Sequence, residues 1–205
     1  MQSDSYKQTI VYKRNHLVPR QKSRPDSEIL ESALALMHER GPEGLTFASL
    51  AERTGLSAAT LVQRFGSKPA MVKAALTQSW DRLLEATEAA IATVDKSPKG
   101  AVELLVALSA DYGAIDSYAD GLLILREDLR DPDLRARGKA WGDRLSAALG
   151  ECLAGADHPN PTLGRLMASH WQGTLLWWSF DPTVDVSTFV EESLSSFLGV
   201  LRQGE

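Results

Sequence analysis

The chain has 205 residues, of which 43% are hydrophobic and 24% charged, the composition of an ordinary globular protein. Its apolar runs, such as residues 122–125 and 175–178, are far shorter than the roughly 20 residues that a membrane span needs. The first residues lack the apolar core of a secretion signal, and the single cysteine, Cys152, offers neither an internal disulfide nor metal-ligand spacing. We therefore expect a cytoplasmic, cofactor-free protein with one small and one medium domain.

The net charge of −5 is unevenly distributed along the chain. Residues 1–80 contain 11 lysines and arginines against seven acidic residues, whereas residues 81–205 contain 11 against 20. Most of the positive excess lies in residues 1–24, which show no sustained periodicity and are predicted to form a flexible basic arm. Such an arm suits a polyanionic partner, because neutralised phosphates release counterions, but a merely solubilising tail would have the same composition.

Helical patterning begins directly after this arm. Pro25, Asp26 and Ser27 form a start signal, in which Asp26 or Ser27 is predicted as the N-cap. Gly41 and Pro42 predict the end of this first helix, since glycine can take a left-handed cap and proline cannot continue the helix. Between these signals an apolar stripe recurs at the spacing of one helix face: Ile29, Ala33, Leu36 and Met37.

Residues 45–66 predict two short helices joined by a tight turn. Thr46 and Ser57 are placed to cap the two helices, and Gly55 can take the positive φ that the sharp turn requires. This is the pattern of a helix-turn-helix unit, whose second helix enters the major groove of DNA. The residues predicted to form its shared core are Leu50, Leu56, Leu61 and Phe65.

The second helix has a polar face suited to reading base edges. Thr60, Gln63 and Arg64 lie at i, i+3 and i+4 and should project together. Glutamine suits adenine, arginine suits guanine, and threonine offers a hydroxyl or a methyl group. Ala58 and Ala59 leave the start of the helix narrow enough for backbone groups to approach phosphate.

Lys68 opens the next helix, where a lysine opposes the helix dipole and is better placed facing an anion.

The motifs described so far resemble those of the TetR family of transcription regulators over residues 29–74. The matching pattern is Ile29-Leu30…Ala33…Gly41…Gly44-Leu45-Thr46…Leu50-Ala51…Gly55-Leu56-Ser57…Thr60-Leu61…Phe65-Gly66-Ser67-Lys68. The family usually has a tyrosine that supports backbone binding where this chain has Val62.

The resemblance implies a recognition helix over residues 57–65. It also implies that Thr46 and Lys68 hold the phosphate backbone while the polar face of that helix meets the groove. Our predicted DNA-contacting set is Arg24, Thr46, Ser57, Ala58, Ala59, Thr60, Gln63, Arg64 and Lys68. The partner would be a palindromic double-stranded operator, since helix-turn-helix proteins usually pair to read two half-sites.

No convincing strand pattern occurs, so we predict an all-α fold. Residues 25–74 would form a three-helix DNA-binding domain, and residues 75–205 a helical effector-binding and dimerisation domain. Two late segments carry apolar stripes at helical spacing and should pack as an antiparallel hairpin. Their aromatic and aliphatic content predicts a homodimer interface, although the same residues could be core of one chain. The interface residues predicted are Leu175, Trp178, Val190, Leu194, Phe197, Leu198 and Leu201.

The resemblance also implies a pocket for a small molecule among the middle helices. A largely apolar or aromatic effector with one polar handle would fit the available side chains, each of which could equally be packed core. The candidate lining residues are Trp80, Tyr112, Tyr118, Trp141, Met167, His170 and Trp171. Family tendency favours a repressor that an effector releases from its operator.

Two other functions remain open. Val62 leaves room for a partner-binding protein of the same fold with weakened DNA binding. An enzyme would have to use the acidic cluster of Glu127, Asp128, Asp131 and Asp133, which spans a proline break typical of a solvated loop. No helical metal-ligand spacing, glycine-rich phosphate loop or nucleophile elbow supports catalysis.

Overall fold

A computed structural model describes residues 24–155 and 158–203, and this part of the chain folds into helices without a strand. The predicted arm, apart from Arg24, lies outside the described residues. None of the described helices combines the length and apolar character of a membrane span. The helices are α1 (Asp26–Gly44), α2 (Phe47–Thr54), α3 (Ala58–Phe65), α4 (Lys68–Thr93), α5 (Pro98–Ser109), α6 (Ile115–Arg130), α7 (Pro132–Ala154), α8 (Pro161–Trp178) and α9 (Val186–Gln203), with a 3-10 turn at Ala110–Tyr112.

The start of α1 differs from the expected N-cap. Neither Asp26 nor Ser27 caps the helix, because Pro25 occupies the cap position with φ −58° and ψ 147° and presets the chain for helical entry at Asp26. The side chain of Asp26 pairs with Arg64 instead. The other end agrees with expectation, since Gly41 has φ 69° and ψ 167° and interrupts the helix, leaving one short turn before α2.

The helix-turn-helix unit forms as its local signals predict. Thr46 and Ser49 make a reciprocal capping box at α2, Gly55 ends α2 with φ 71°, and the Ser57 hydroxyl accepts from the Thr60 amide at α3. Ser67 caps α4 in the same way. Leu50, Leu56 and Leu61 are buried and Phe65 is partly buried, in a core shared with α1 and α4.

This N-terminal core extends beyond the predicted boundary at residue 74. Helix α4 runs without a break from 68 to 93, and Ile124 of α6 and Leu134 of α7 join the same core. A second core lies between α5, α7, α8 and α9. Cys152 is buried within it, where its thiol faces the Asp95 carbonyl oxygen at 3.7 Å and burial raises the thiol pKa. The division at 74/75 stays a prediction.

The tightest helix crossing joins α7 to α8. A Cβ built at Gly164 would overlap the Ser146 backbone oxygen and lie 2.6 Å from the Gly150 nitrogen. The backbones of the two helices touch here because neither side has room for a side chain. The second core is therefore organised around small residues at this crossing.

We expect Gly164→Ala to destabilise the protein by about 3 kcal/mol or more, because the backbones must separate to admit the methyl group. Gly142→Ala on α7 is the matched control, since a Cβ there meets nothing within 4 Å. Replacing this helical glycine should instead stabilise by about 0.5–1 kcal/mol. Urea unfolding of both variants measures the difference, and equal stability of the two would contradict the packing described.

Candidate nucleic-acid interface and interior cavity

Helix α3 exposes a polar face to solvent, and its opposite face is anchored in the core. Leu61 is fully buried, whereas Gln63 and Arg64 are exposed and Thr60 is half-buried with its hydroxyl 2.8 Å from that of Ser57. The rotation of α3 is therefore set by its buried leucine. The structure also leaves Ala58, Ala59, Ser57 and Thr46 exposed, at the start of α3 and of α2.

Two of the three predicted cationic contacts, Arg64 and Lys68, already have partners in the protein. The Arg64 guanidinium donates to the Arg24 carbonyl oxygen at 2.7 Å and to Asp26 Oδ1 at 3.1 Å. Lys68 Nζ donates to the backbone oxygen of Glu43 at 3.1 Å and to its carboxylate at 3.2 Å. The anion that Lys68 faces is thus Glu43, whose side chain is fully exposed and free to leave.

A cavity of about 420 Å³, partly open to the surface, lies where α1, α4, α6 and α7 meet. Its lining includes four aromatic residues predicted for a pocket: Trp80, Tyr112, Tyr118 and Trp141. We call it the aromatic cavity. A neighbouring cavity of about 550 Å³ shares Tyr112 and Gly121 with it and adds Arg82 and Asp120.

The other three predicted pocket residues do not line the aromatic cavity. Met167 and Trp171 lie on the buried face of α8, and the Trp171 indole nitrogen donates to Ser109 Oγ at 2.8 Å within the second core. His170 stacks on Phe197 of α9 with ring centroids 4.4 Å apart. These residues were expected in the pocket because of their chemistry, but helical phase points them toward α5 and α9.

Asp128 is the cavity residue that pattern reasoning placed in the wrong context. It was grouped with an acidic cluster, yet it is only 8% exposed, lines the cavity and accepts from Trp80 Nε1 at 3.0 Å. Burial raises the pKa of its carboxyl, the Trp80 hydrogen bond lowers it, and the charge of Glu127 raises it further. Its neighbours in sequence have structural roles, since Asp131 caps α7 and both Asp131 and Asp133 hold Lys73.

Four of the residues predicted for a dimer interface are core residues of the single chain. Leu175, Trp178, Val190 and Leu194 are almost completely buried within it, so they have no surface to offer a partner. The stripe that they form faces α5 and α7 instead of solvent. Phe197 and Leu198 are half-buried, and the side chain of Leu201 lies outside the described residues.

A different apolar surface is exposed on α8 and α9. Trp177 is 71% exposed and Phe180, just beyond α8, is 74% exposed, with their ring centroids 5.9 Å apart. Leu166 lies three turns earlier on the same side of α8, and Val200 is exposed on α9. We call these four residues the helix-pair surface. Trp177 lies off the buried stripe of α8, and it belongs to the tryptophan cluster of residues 171–178 whose size favours an interface.

Helices α2 and α3, the Gly55 turn between them and the exposed face of α3 make this part of the chain a helix-turn-helix unit, the class of fold that places its second helix in the major groove of DNA. Residues 29–75 match the family model described as bacterial regulatory proteins of the tetR family. The resemblance to the TetR family is therefore confirmed over these residues, which form the helix-turn-helix unit. Comparison with curated proteins finds no match.

Solved structures extend the likeness to the whole fold. The TetR family transcriptional regulator PfmR of Thermus thermophilus is 23% identical, with 82% of this chain and 94% of that chain covered and a TM-score of 0.59. A transcriptional regulator of Saccharomonospora viridis in complex with choline is 19% identical (83% and 93% covered, TM-score 0.66). The multidrug binding protein EbrR complexed with malachite green is 20% identical (85% and 98%, TM-score 0.63). The all-α TetR-family fold is thus confirmed.

We expect Asp128→Asn to leave the protein at least as stable as the wild type near neutral pH. The amide oxygen can still accept from Trp80, while the buried charge is removed. Because folding raises the Asp128 pKa above its ordinary value of 3.8, the carboxylate opposes folding increasingly as pH rises from there. The variant's advantage should be absent below the ordinary value of 3.8 and should grow as pH rises above it. Thermal unfolding across this range tests the sign, and a variant less stable than wild type at neutral pH would contradict it.

Proposed function

We propose that this protein binds a palindromic operator as a homodimer and represses transcription until a small-molecule effector releases it. The observation that carries the proposal is the exposed polar face of α3, held in a fixed rotation by buried Leu61 within a TetR-family domain. A helix presented in this way matches the dimensions and the chemistry of the major groove.

Each residue of the interface has a proposed role. Arg64 and Gln63 contact base edges, with Thr60 beside them, and Ala58 and Ala59 lie against the groove wall at the helix start. Lys68 and Thr46 hold the phosphate backbone, and Ser57 positions the first turn of α3. Arg24 would lie next to Arg64 in the DNA complex, because the Arg24 carbonyl oxygen already accepts a hydrogen bond from the Arg64 guanidinium.

Dimerisation is proposed through the helix-pair surface. Large exposed apolar side chains are typical of protein interfaces, and tryptophan is enriched among the residues that dominate binding. Two-fold pairing of this surface would bury Trp177 and Phe180 of both protomers. The pairing would also hold two copies of α3 at the half-site spacing of roughly 34–36 Å.

The aromatic cavity is the proposed effector site, and its position suggests how occupancy reaches DNA. Leu76 of α4 and Ile124 of α6 line the cavity and also belong to the N-terminal core. A ligand that displaces either residue moves the core on which α3 rests. The coupling is reciprocal, so operator DNA should weaken effector binding by the same factor, typically about 5–150-fold.

A partner-binding protein that has lost DNA affinity is the second candidate. Val62 favours it, because this position on the outer side of α3 is 43% exposed and carries no group that could hold a phosphate. The two candidates differ in one measurement. Salt-dependent, sequence-specific affinity for DNA belongs only to the first.

The first test is capture of fragmented genomic DNA from the source organism by the purified protein at two salt concentrations. Enrichment of a short palindrome that weakens as salt rises would support the regulator, because phosphate contacts release counterions. Uniform or absent enrichment at low salt would favour the partner-binding candidate. The recovered operator then serves for the variants below.

We expect Arg64→Ala to lose about 1–3 kcal/mol at one base position and to relax sequence preference there. Lys68→Ala should weaken binding to all sequences and reduce the salt slope by about 1. Lys99→Ala, a change of the same kind at an exposed position of α5, is the control and should leave both quantities unchanged. Fluorescence anisotropy with operator and single-base variants measures them, and unchanged affinity in both test variants would exclude α3 as the recognition helix.

We expect Trp177→Glu to weaken the dimer by about 30-fold or more, because a charge replaces a central aromatic contact. Leu123→Glu alters another exposed apolar residue, on α6, and should leave dimerisation unchanged. Sedimentation equilibrium gives the two dissociation constants. A Trp177→Glu protein that dimerises like the wild type would place the interface elsewhere.

A further inference from the structure

The aromatic cavity has an unbalanced charge. Among the described residues its lining contains one carboxylate, Asp128, one histidine, His38, and neither a lysine nor an arginine. Most of the remaining wall is leucine, isoleucine and aromatic. The adjoining cavity adds Asp120 and Arg82, but the Arg82 guanidinium is already paired with Glu31 on the outside of α1.

Asp128 has no countercharge in the described part of the chain. It forms no ion pair there, and its one hydrogen-bond donor, the Trp80 indole, is neutral. The nearest charge that acts on it is the like charge of Glu127, which pairs with Arg130 at 3.6 Å. Buried carboxylates are ordinarily paired or replaced, because desolvation of a lone charge is unfavourable. A carboxylate in this position is suited to pair with the positive charge of a bound ligand.

Aromatic rings stand around the same space. The Trp80 and Trp141 rings lie 6.1 Å apart at 55°, and the Tyr112 and Tyr118 rings lie 5.5 Å apart at 76°. Trp141 Nε1 donates to Thr87 and Trp80 Nε1 to Asp128, so both indole rings are fixed in orientation. The negative faces of such rings attract a cation that is too weakly hydrated to prefer water.

We propose that the aromatic cavity takes an organic cation, a quaternary ammonium or a delocalised cationic ring system, with Asp128 as its counter-ion. The inference rests on the proposed effector site and names the chemistry of its ligand. An anionic effector would meet Asp128 without a lysine or arginine to balance it. A neutral effector would leave the buried carboxylate unpaired.

Gly121 on α6 is a position at which a larger side chain would fill the cavity while Asp128 stays unchanged. It lines both cavities, and a Cβ built on it meets nothing within 4 Å. Gly121→Leu should therefore fill ligand space while leaving the surrounding packing intact. Asp116 is exposed near the start of the same helix, so Asp116→Asn makes the same chemical change as Asp128→Asn away from the cavity.

The test is titration calorimetry of the DNA-free full chain with choline and benzyltrimethylammonium. The neutral carbon isostere 3,3-dimethylbutan-1-ol is titrated beside them. We expect both cations to bind the wild type, and choline to bind about 10-fold or more tightly than its isostere. Asp128→Asn should remove this preference, Gly121→Leu should weaken binding of all three compounds, and Asp116→Asn should behave as the wild type.

Equal binding of choline and its isostere by the wild type would overturn the proposal, as would undiminished cation binding by Asp128→Asn. Binding of neither cation would overturn it as well. The thermal unfolding of Asp128→Asn described above would show whether a variant that loses cation binding is still folded. Since no DNA is present, failure here leaves the operator experiment untouched, and failure to capture an operator leaves the cation measurement valid.

Discussion

The uninterrupted course of α4 is the constraint on which both halves of the molecule depend. Its 26 residues start at the Ser67 cap and extend about 39 Å at about 1.5 Å per residue. Leu76 packs in the N-terminal core and lines the aromatic cavity, and one turn later Trp80 is tied to Asp128. Because α4 is continuous from the Ser67 cap past Trp80, a displacement of the helix around Trp80 has a direct route to the turn on which α3 rests.

The electrostatics of the two regions are arranged in opposite ways. At α3 the cations are held by exposed partners, Asp26 for Arg64 and Glu43 for Lys68, and exposed pairs contribute only about 0–1 kcal/mol. Exchange of these partners for phosphate or base oxygens would therefore cost little free energy. Both side chains already lie near the positions proposed for them in the DNA complex. In the cavity the carboxylate of Asp128 accepts from the neutral Trp80 indole and has no countercharge among the described residues, an arrangement that costs stability.

The features predictable from sequence were those that depend on residues a few positions apart. The Thr46 and Ser57 caps and the Gly55 turn are of this kind, whereas the start of α1 was wrong because Pro25 overrides the capping tendency of Asp26. Periodicity identified the buried faces of α8 and α9 but could not tell whether the same chain or a partner covers them. The hydrogen bond between Trp80 and Asp128 joins positions 48 residues apart, and no local sequence pattern predicts it.

The burial of Cys152 makes the protein convenient for spectroscopy. It is the sole cysteine of the sequence, it is 2% exposed, and burial keeps its thiol protonated, since the thiolate is the reactive form. A cysteine introduced on the outer side of α3 would therefore be the one reactive towards a maleimide or a nitroxide reagent. Pulsed electron resonance between the two labels of a dimer would then report the separation of the helices directly, with and without a cation in the cavity.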